Sequence, residues 1–103
     1  MQKGVFITGA ASGIGLAAAR RFASEGWLVA AADIDGEALL HNLAGLEGIV
    51  LTAQCDITDA DALAATVAQA EERTGGLECV VANAGIHIRN TLLTITDEQL
   101  ERL

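Results

Sequence analysis

Thr8-Gly9-Ala10-Ala11-Ser12-Gly13-Ile14-Gly15 is the stretch that decides how this chain folds. It follows Val5-Phe6-Ile7-Thr8, a short β-rich run, and opens residues 14–25, whose apolar spacing predicts a helix. Ile14, Ala17, Ala18 and Phe22, with Ala19 beside them, are expected to face a sheet, while Arg20, Arg21, Ser24 and Glu25 face water. Gly26 is placed as the C′ stop. Each glycine of the loop answers a physical demand. Gly9 turns the chain sharply off the strand. Gly13, at the helix N-terminus, leaves room for a diphosphate to reach backbone N–H groups. Gly15 lets the helix lie close to the strands. The spacing is G-x3-G-x-G, and glycines alone also fit a tight strand–helix turn with no ligand.

Outward from this loop, strand and helix signals alternate. Residues 27–32 form a continuous apolar run, as a strand buried on both faces requires, and Asp33 ends it. Residues 37–46 predict a weaker helix, and residues 49–55 a third strand ending at Asp56. Thr58 is expected to cap the next helix, with Asp59 and Asp61 in its first turn, where the helix dipole favours acids. That helix runs to about Arg73, and Gly75-Gly76 breaks it. Residues 77–82 predict a fourth strand, followed by Asn83-Ala84-Gly85. Thr96 and Gln99 form a capping box for a further helix. The βαβαβαβ order predicts one α/β domain with a parallel, doubly wound sheet of strand order 3-2-1-4.

Asp33 stands eighteen residues after Gly15, at the end of the second strand. There a carboxylate can accept hydrogen bonds from both hydroxyls of an adenosine ribose and repel a 2′-phosphate. Taken alone it better fits the start of a turn with Asp35 and Gly36; combined with the glycine loop, the ribose role is the better reading.

The composition narrows the function classes. The chain has 103 residues, enough for one domain, and is 51% hydrophobic and 19% charged, as a globular chain should be. Twenty alanines, no Pro and 3% aromatics predict a core of small aliphatic side chains in closely packed layers. Fourteen acidic against six basic residues give a formal charge of −8, which argues against nucleic acid and anionic membranes as partners. The longest apolar run is far shorter than the roughly 20 residues a bilayer-spanning helix needs. Cys55 and Cys79 lie in apolar runs and read as buried free thiols of a reducing compartment; with no export signal visible, the cytoplasm is expected. No Cys/His spacing suggests a metal.

The eight-residue loop matches, residue for residue, the TGxxxGxG motif of the short-chain dehydrogenases/reductases, and the chain resembles that family throughout. Cys55-Asp56-Ile57-Thr58 resembles the family's segment after the third strand, whose Asp lies beside the adenine ring. Ala82-Asn83-Ala84-Gly85 resembles its NNAG motif, with Ala82 in place of the first Asn. The resemblance implies a Rossmann-like fold and the NAD(H)-binding part of an enzyme that moves a hydride between nicotinamide and an alcohol or carbonyl substrate. The implied cofactor-binding residues are Gly9, Ser12, Gly13, Ile14, Gly15, Asp33, Ile34, Asp56, Ile57, Asn83, Ala84 and Gly85. NAD is expected over NADP, because Ser12 and Ile34 stand where NADP-preferring members usually carry a basic residue.

The family's catalytic residues are a Tyr and a Lys spaced YxxxK, a Ser and an Asn. The chain has no Tyr, and its serines, Ser12 and Ser24, belong to the loop and first helix. No catalytic residue is therefore assigned, and the 103 residues are expected to resemble an N-terminal portion without activity of its own. The substrate, and the homo-oligomer the resemblance implies, would belong to the complete protein. His87 reads as a loop residue and His41 as a helix-surface one. Two other readings keep the same loop: a non-catalytic dinucleotide-binding module or remnant of a truncated gene, and a Rossmann-like methyltransferase using S-adenosylmethionine. The last does not account for Thr8, Gly13-Ile14-Gly15 and Asn83-Ala84-Gly85 together.

Overall fold

The computed structural model describes residues 2–83. Ala84, Gly85, His87 and the capping box at Thr96 and Gln99 lie outside the described residues. Seven elements follow in order: β1 (Gly4–Thr8), α1 (Gly13–Ser24), β2 (Leu28–Asp33), α2 (Gly36–Leu43), β3 (Ile49–Gln54), α3 (Ala60–Thr74) and β4 (Leu77–Val81). All strand pairs are parallel, in the order β3-β2-β1-β4. This is the topology expected from the alternating apolar runs.

Parallel register explains the double layer. Val5, Phe6, Ile7 and Thr8 pair with Val29, Ala30, Ala31 and Ala32. Successive side chains leave opposite faces of a strand. Val5, Ile7, Val29 and Ala31 accordingly pack with Ala19, Leu39 and Leu43, under α1 and α2. Phe6, Ala30 and Ala32 pack with Leu63, Val67 and Ala70 of α3, on the other face. Fully burying each large side chain among these stabilises the fold by roughly 1.5–3 kcal/mol. The alanines of β2 let helices from both sides come close.

Helix ends follow local chemistry. α1 closes on Gly26, at φ +87°, with Gly26 N–H donating to Ala23 O and Trp27 N–H to Phe22 O. This is a Schellman closure, and the Phe22 and Trp27 rings meet edge to face at 4.8 Å, supplying its apolar contact. α3 ends at Gly75, also left-handed.

Three sequence expectations are corrected. α1 buries Gly15 and Ala19 and leaves Ile14 76% exposed, with Ala17 exposed beside it. The helix is rotated because Gly15 must nest its bare Cα on the Gly9 carbonyl; a Cβ there would overlap that oxygen. α2 stops at Leu43 rather than near Leu46, since Ala44 leaves helical geometry and Gly45 turns to φ +78°. α3 is capped by Asp59 and not by Thr58: the Asp59 side chain accepts from Ala62 N–H, while Thr58 is drawn into a turn with Asp56. Cys55 is buried as expected, whereas Cys79, on β4, is only half-buried; both are free thiols.

Candidate functional site

The C-terminal ends of β1, β2 and β3 reach the same edge of the sheet. Chain order reverses across β1, because α1 returns the chain to β2 on one side and α3 delivers it to β4 on the other. Open α/β sheets bind ligands in the crevice at such a reversal.

The glycine loop crosses this crevice, and its two halves differ. The first half is tied down from three elements. Ala10 N–H donates to Ala32 O at 3.1 Å. Ala11 N–H donates to Asp33 Oδ2 at 3.0 Å, and Asn42 Nδ2 on α2 donates to Ala11 O at 2.7 Å. Asn83, just past β4, donates through its side chain to Gly9 O and through its backbone N–H to Thr8 Oγ1, each at 3.2 Å.

The second half has no such ties among the described residues. Ser12 sits at the N-cap of α1 in extended geometry, and its side chain makes no capping bond. The first intrahelical bond runs from Leu16 N–H to Ser12 O. The N–H groups of Gly13, Ile14 and Gly15 therefore form no hydrogen bond among the described residues, as helix geometry dictates for a first turn. The first turn of α1 also holds no acidic side chain. By contrast, α2 and α3 begin with Asp35 and Asp59, whose carboxylates accept from Ala38 and Ala62 N–H. Gly13 takes φ +57°, and a Cβ on it would meet nothing within 4 Å among the described residues. Three free donors, the positive end of a helix dipole and open space thus coincide.

Beside this tip lies a cavity of about 300 Å³ lined by Gly9, Asp33, Ile34, Cys55, Asp56, Ile57 and Thr58. Five of the sequence-selected residues meet there. Asp33 accepts from Asp35 N–H through Oδ1 at 2.9 Å and from Ala11 N–H through Oδ2. The turn reading of Asp33 and its place in the cleft therefore hold together: the same carboxylate starts the turn, pins the loop and lines the cavity. Each oxygen keeps a second lone pair for a ligand. Ile34 is 65% exposed at the rim. Asp56 Oδ1 accepts from Thr58 Oγ1 at 2.6 Å and from Thr58 N–H at 3.0 Å. The hydroxyl bond first, then the backbone bond, holds the Asp56 carboxyl below its ordinary value. It stays ionised across the neutral range and loses this turn only as the pH falls through that lowered value.

Ser12, Gly13 and Ile14 lie exposed at the helix tip, Gly15 is buried against the loop, and Asn83 holds the loop through its side-chain amide and backbone N–H. Ala84 and Gly85 lie outside the described residues. The sequence reading missed Asn42, and it took Thr58 for a helix cap where the structure makes it the partner of Asp56. Thr58 is signalled by the Asp-x-Thr spacing of an Asx-type turn. Asn42 carries no local signal, since its contact spans 31 positions and exists only once α2 has docked. Among the described residues no group of three or more His, Cys, Asp or Glu is placed to hold a metal, and no helix is long and apolar enough to cross a membrane.

Comparison with known proteins agrees with this geometry. The family model for the short chain dehydrogenases matches residues 3–103. An uncharacterised oxidoreductase of Mycobacterium bovis is 39% identical over 99 residues, which cover 94% of this chain and 40% of the relative. The structure of a 3-ketoacyl-(acyl-carrier-protein) reductase from Brucella melitensis, complexed with NADH, superposes with a TM-score of 0.75 at 33% identity, over 82% of this chain and 34% of the other. A short chain dehydrogenase/reductase from Burkholderia phymatum, in complex with NAD, shares the fold at a TM-score of 0.84 and 24% identity, over 94% of this chain and 43% of the other. The chain thus spans about two-fifths of the length of the curated relatives it matches. With the loop, the strand order and the family match in agreement, this chain belongs to the short-chain dehydrogenase family.

Proposed function

We propose that this chain is the NAD(H)-binding portion of an oxidoreductase whose complete form transfers a hydride between nicotinamide and an alcohol or carbonyl substrate. The observation that carries the reading is the tip of α1, with its free amides beside the open Cα of Gly13, set against a cavity that contains a carboxylate at the end of β2. The fit is chemical as well as spatial. A diphosphate needs N–H donors and tolerates no acid, and the first turn of α1 carries none. An adenosine needs an apolar slot with acceptors beside it, and the cavity is lined by Ile34 and Ile57 together with Asp33 and Asp56, which would serve.

When bound, the cofactor supplies the hydride acceptor or donor. The work of this chain is to bind and orient it. The amides of Gly13, Ile14 and Gly15 would hold the diphosphate. Asp33 would accept from the two ribose hydroxyls with its remaining lone pairs. Asp56 and Ile57 would border the adenine. Ile14 would shield the helix tip from water with its exposed side chain.

Discrimination follows from charge. A 2′-phosphate would stand against the Asp33 carboxylate, and Ser12 and Ile34 offer no cation to offset it. NADH is therefore expected to bind at least about tenfold more tightly than NADPH, a difference of about 1.4 kcal/mol. Fluorescence titration of the chain with each reduced cofactor measures this directly. Tighter binding of NADPH would overturn the assignment.

A further inference from the structure

We infer that Asn42 is a positioning residue that aims the phosphate-binding edge of the glycine loop, an inference that rests on the diphosphate reading of the α1 tip. Asn42 lies on α2, outside every segment that the glycine motif covers, yet its Nδ2 donates to Ala11 O at 2.7 Å, while the N–H of that same Ala11 donates to Asp33 Oδ2 at 3.0 Å.

The two bonds fix the two peptide planes that flank Ala11. No peptide bond here is cis, so the C=O of Ala11 and the N–H of Ser12 point in opposite directions across one plane. By holding the carbonyl toward α2, Asn42 turns the Ser12 N–H away from α2. That N–H forms no hydrogen bond among the described residues, and Ser12 is the residue that opens α1. Asn42 thus adds a fourth backbone donor to those of Gly13, Ile14 and Gly15. It also keeps the Ala11 carbonyl, a partial negative charge, from turning toward an anion. Asp33 pins the other peptide plane of Ala11 through its own bond, so the ribose side of the cavity keeps its geometry without Asn42.

The residue is suited to the task. It is half-buried, which favours the bond, and an amide donates without bringing a charge near the diphosphate. Leu39 and Leu43 anchor the same helix in the core, which fixes where the amide sits.

Asn42→Ala and Asn42→Asp test this with ADP and adenosine as probes on the full 103-residue chain. Asp keeps the shape of Asn, but its ionised carboxylate cannot donate. Asn42→Ala is expected to weaken ADP binding about tenfold, as the loss of one aiming hydrogen bond implies, Asn42→Asp at least as much because its carboxylate also brings a charge near the loop, and both to leave adenosine binding within about twofold. The Ser12 amide resonance should move in both variants before any ligand is added. An equal loss for ADP and adenosine, or no loss for ADP, would overturn the inference. So would loss of the folded circular-dichroism spectrum in both variants, since Asn42 would then support the fold as a whole. A parent chain that binds neither ligand would instead remove the diphosphate reading on which the inference rests.

Discussion

Gly15→Ala is expected to cost about 3 kcal/mol of stability and to lower Tm by roughly 15 °C. A Cβ on Gly15 overlaps the carbonyl oxygen of Gly9 and comes within 2.8 Å of Asn83 Nδ2. The obstacle is backbone, so no rotamer change relieves it. α1 must lift away from β1, and the bond from Asn83 Nδ2 to Gly9 O is stretched with it. Overpacking a close contact costs about 1–3 kcal/mol, and the lost hydrogen bond adds about 1. Against a typical total of about 5–15 kcal/mol, that is a large share. Gly13→Ala is the matched control. Its Cβ meets nothing within 4 Å among the described residues, so the cost is confined to the left-handed backbone, about 1–2 kcal/mol, while the methyl would intrude on the proposed diphosphate seat. Thermal unfolding followed by circular dichroism ranks the two. A Gly15→Ala chain as stable as the parent would mean that α1 does not lie on the Gly9 carbonyl.

Asp33→Ala is expected to weaken NADH binding about 100-fold, near 2.7 kcal/mol, and to narrow the preference for NADH over NADPH. The loss has two sources. The carboxylate that would grip the ribose disappears, and the N–H groups of Ala11 and Asp35 lose their acceptor. Asp33→Asn separates charge from shape. An amide presents one acceptor and one donor edge, so it can serve Ala11 or Asp35 but not both. It should therefore retain part of the loop geometry while losing the repulsion toward a 2′-phosphate. Titrating both variants with NADH and NADPH checks this. Unchanged NADH affinity in Asp33→Ala would remove the carboxylate from the binding account.

The sheet was legible because its determinants are local. Residues 27–32 are an uninterrupted apolar run, and a strand buried on both faces has no other way to look. Gly26 and Gly75 stop their helices through their own backbone freedom. The loop was legible for the same reason, and Asp33 followed from its place at a strand end. What the sequence hid depends on tertiary contact. The rotation of α1 is set by the fit of Gly15 on Gly9, which helical periodicity cannot register when Ile14 and Ala17 look equally apolar. The start of α3 is set by competition between Thr58 and Asp59, and the Asp56 carboxylate decides it by taking both Thr58 donors. Asn42 became visible only when α2 packed beside a loop 31 positions away.

The central claim is that the amides opening α1 seat a diphosphate while Asp33 holds the neighbouring sugar. Amide chemical-shift mapping of the ¹⁵N-labelled chain during titration with ADP tests it most directly. The account predicts saturable shifts that are largest at Ser12, Gly13, Ile14 and Gly15, with smaller ones at Asp33, Ile34 and Ile57, and little change at the capped starts of α2 and α3. Shifts that cluster elsewhere, or amides of α1 that stay in place while ADP binds, would contradict it.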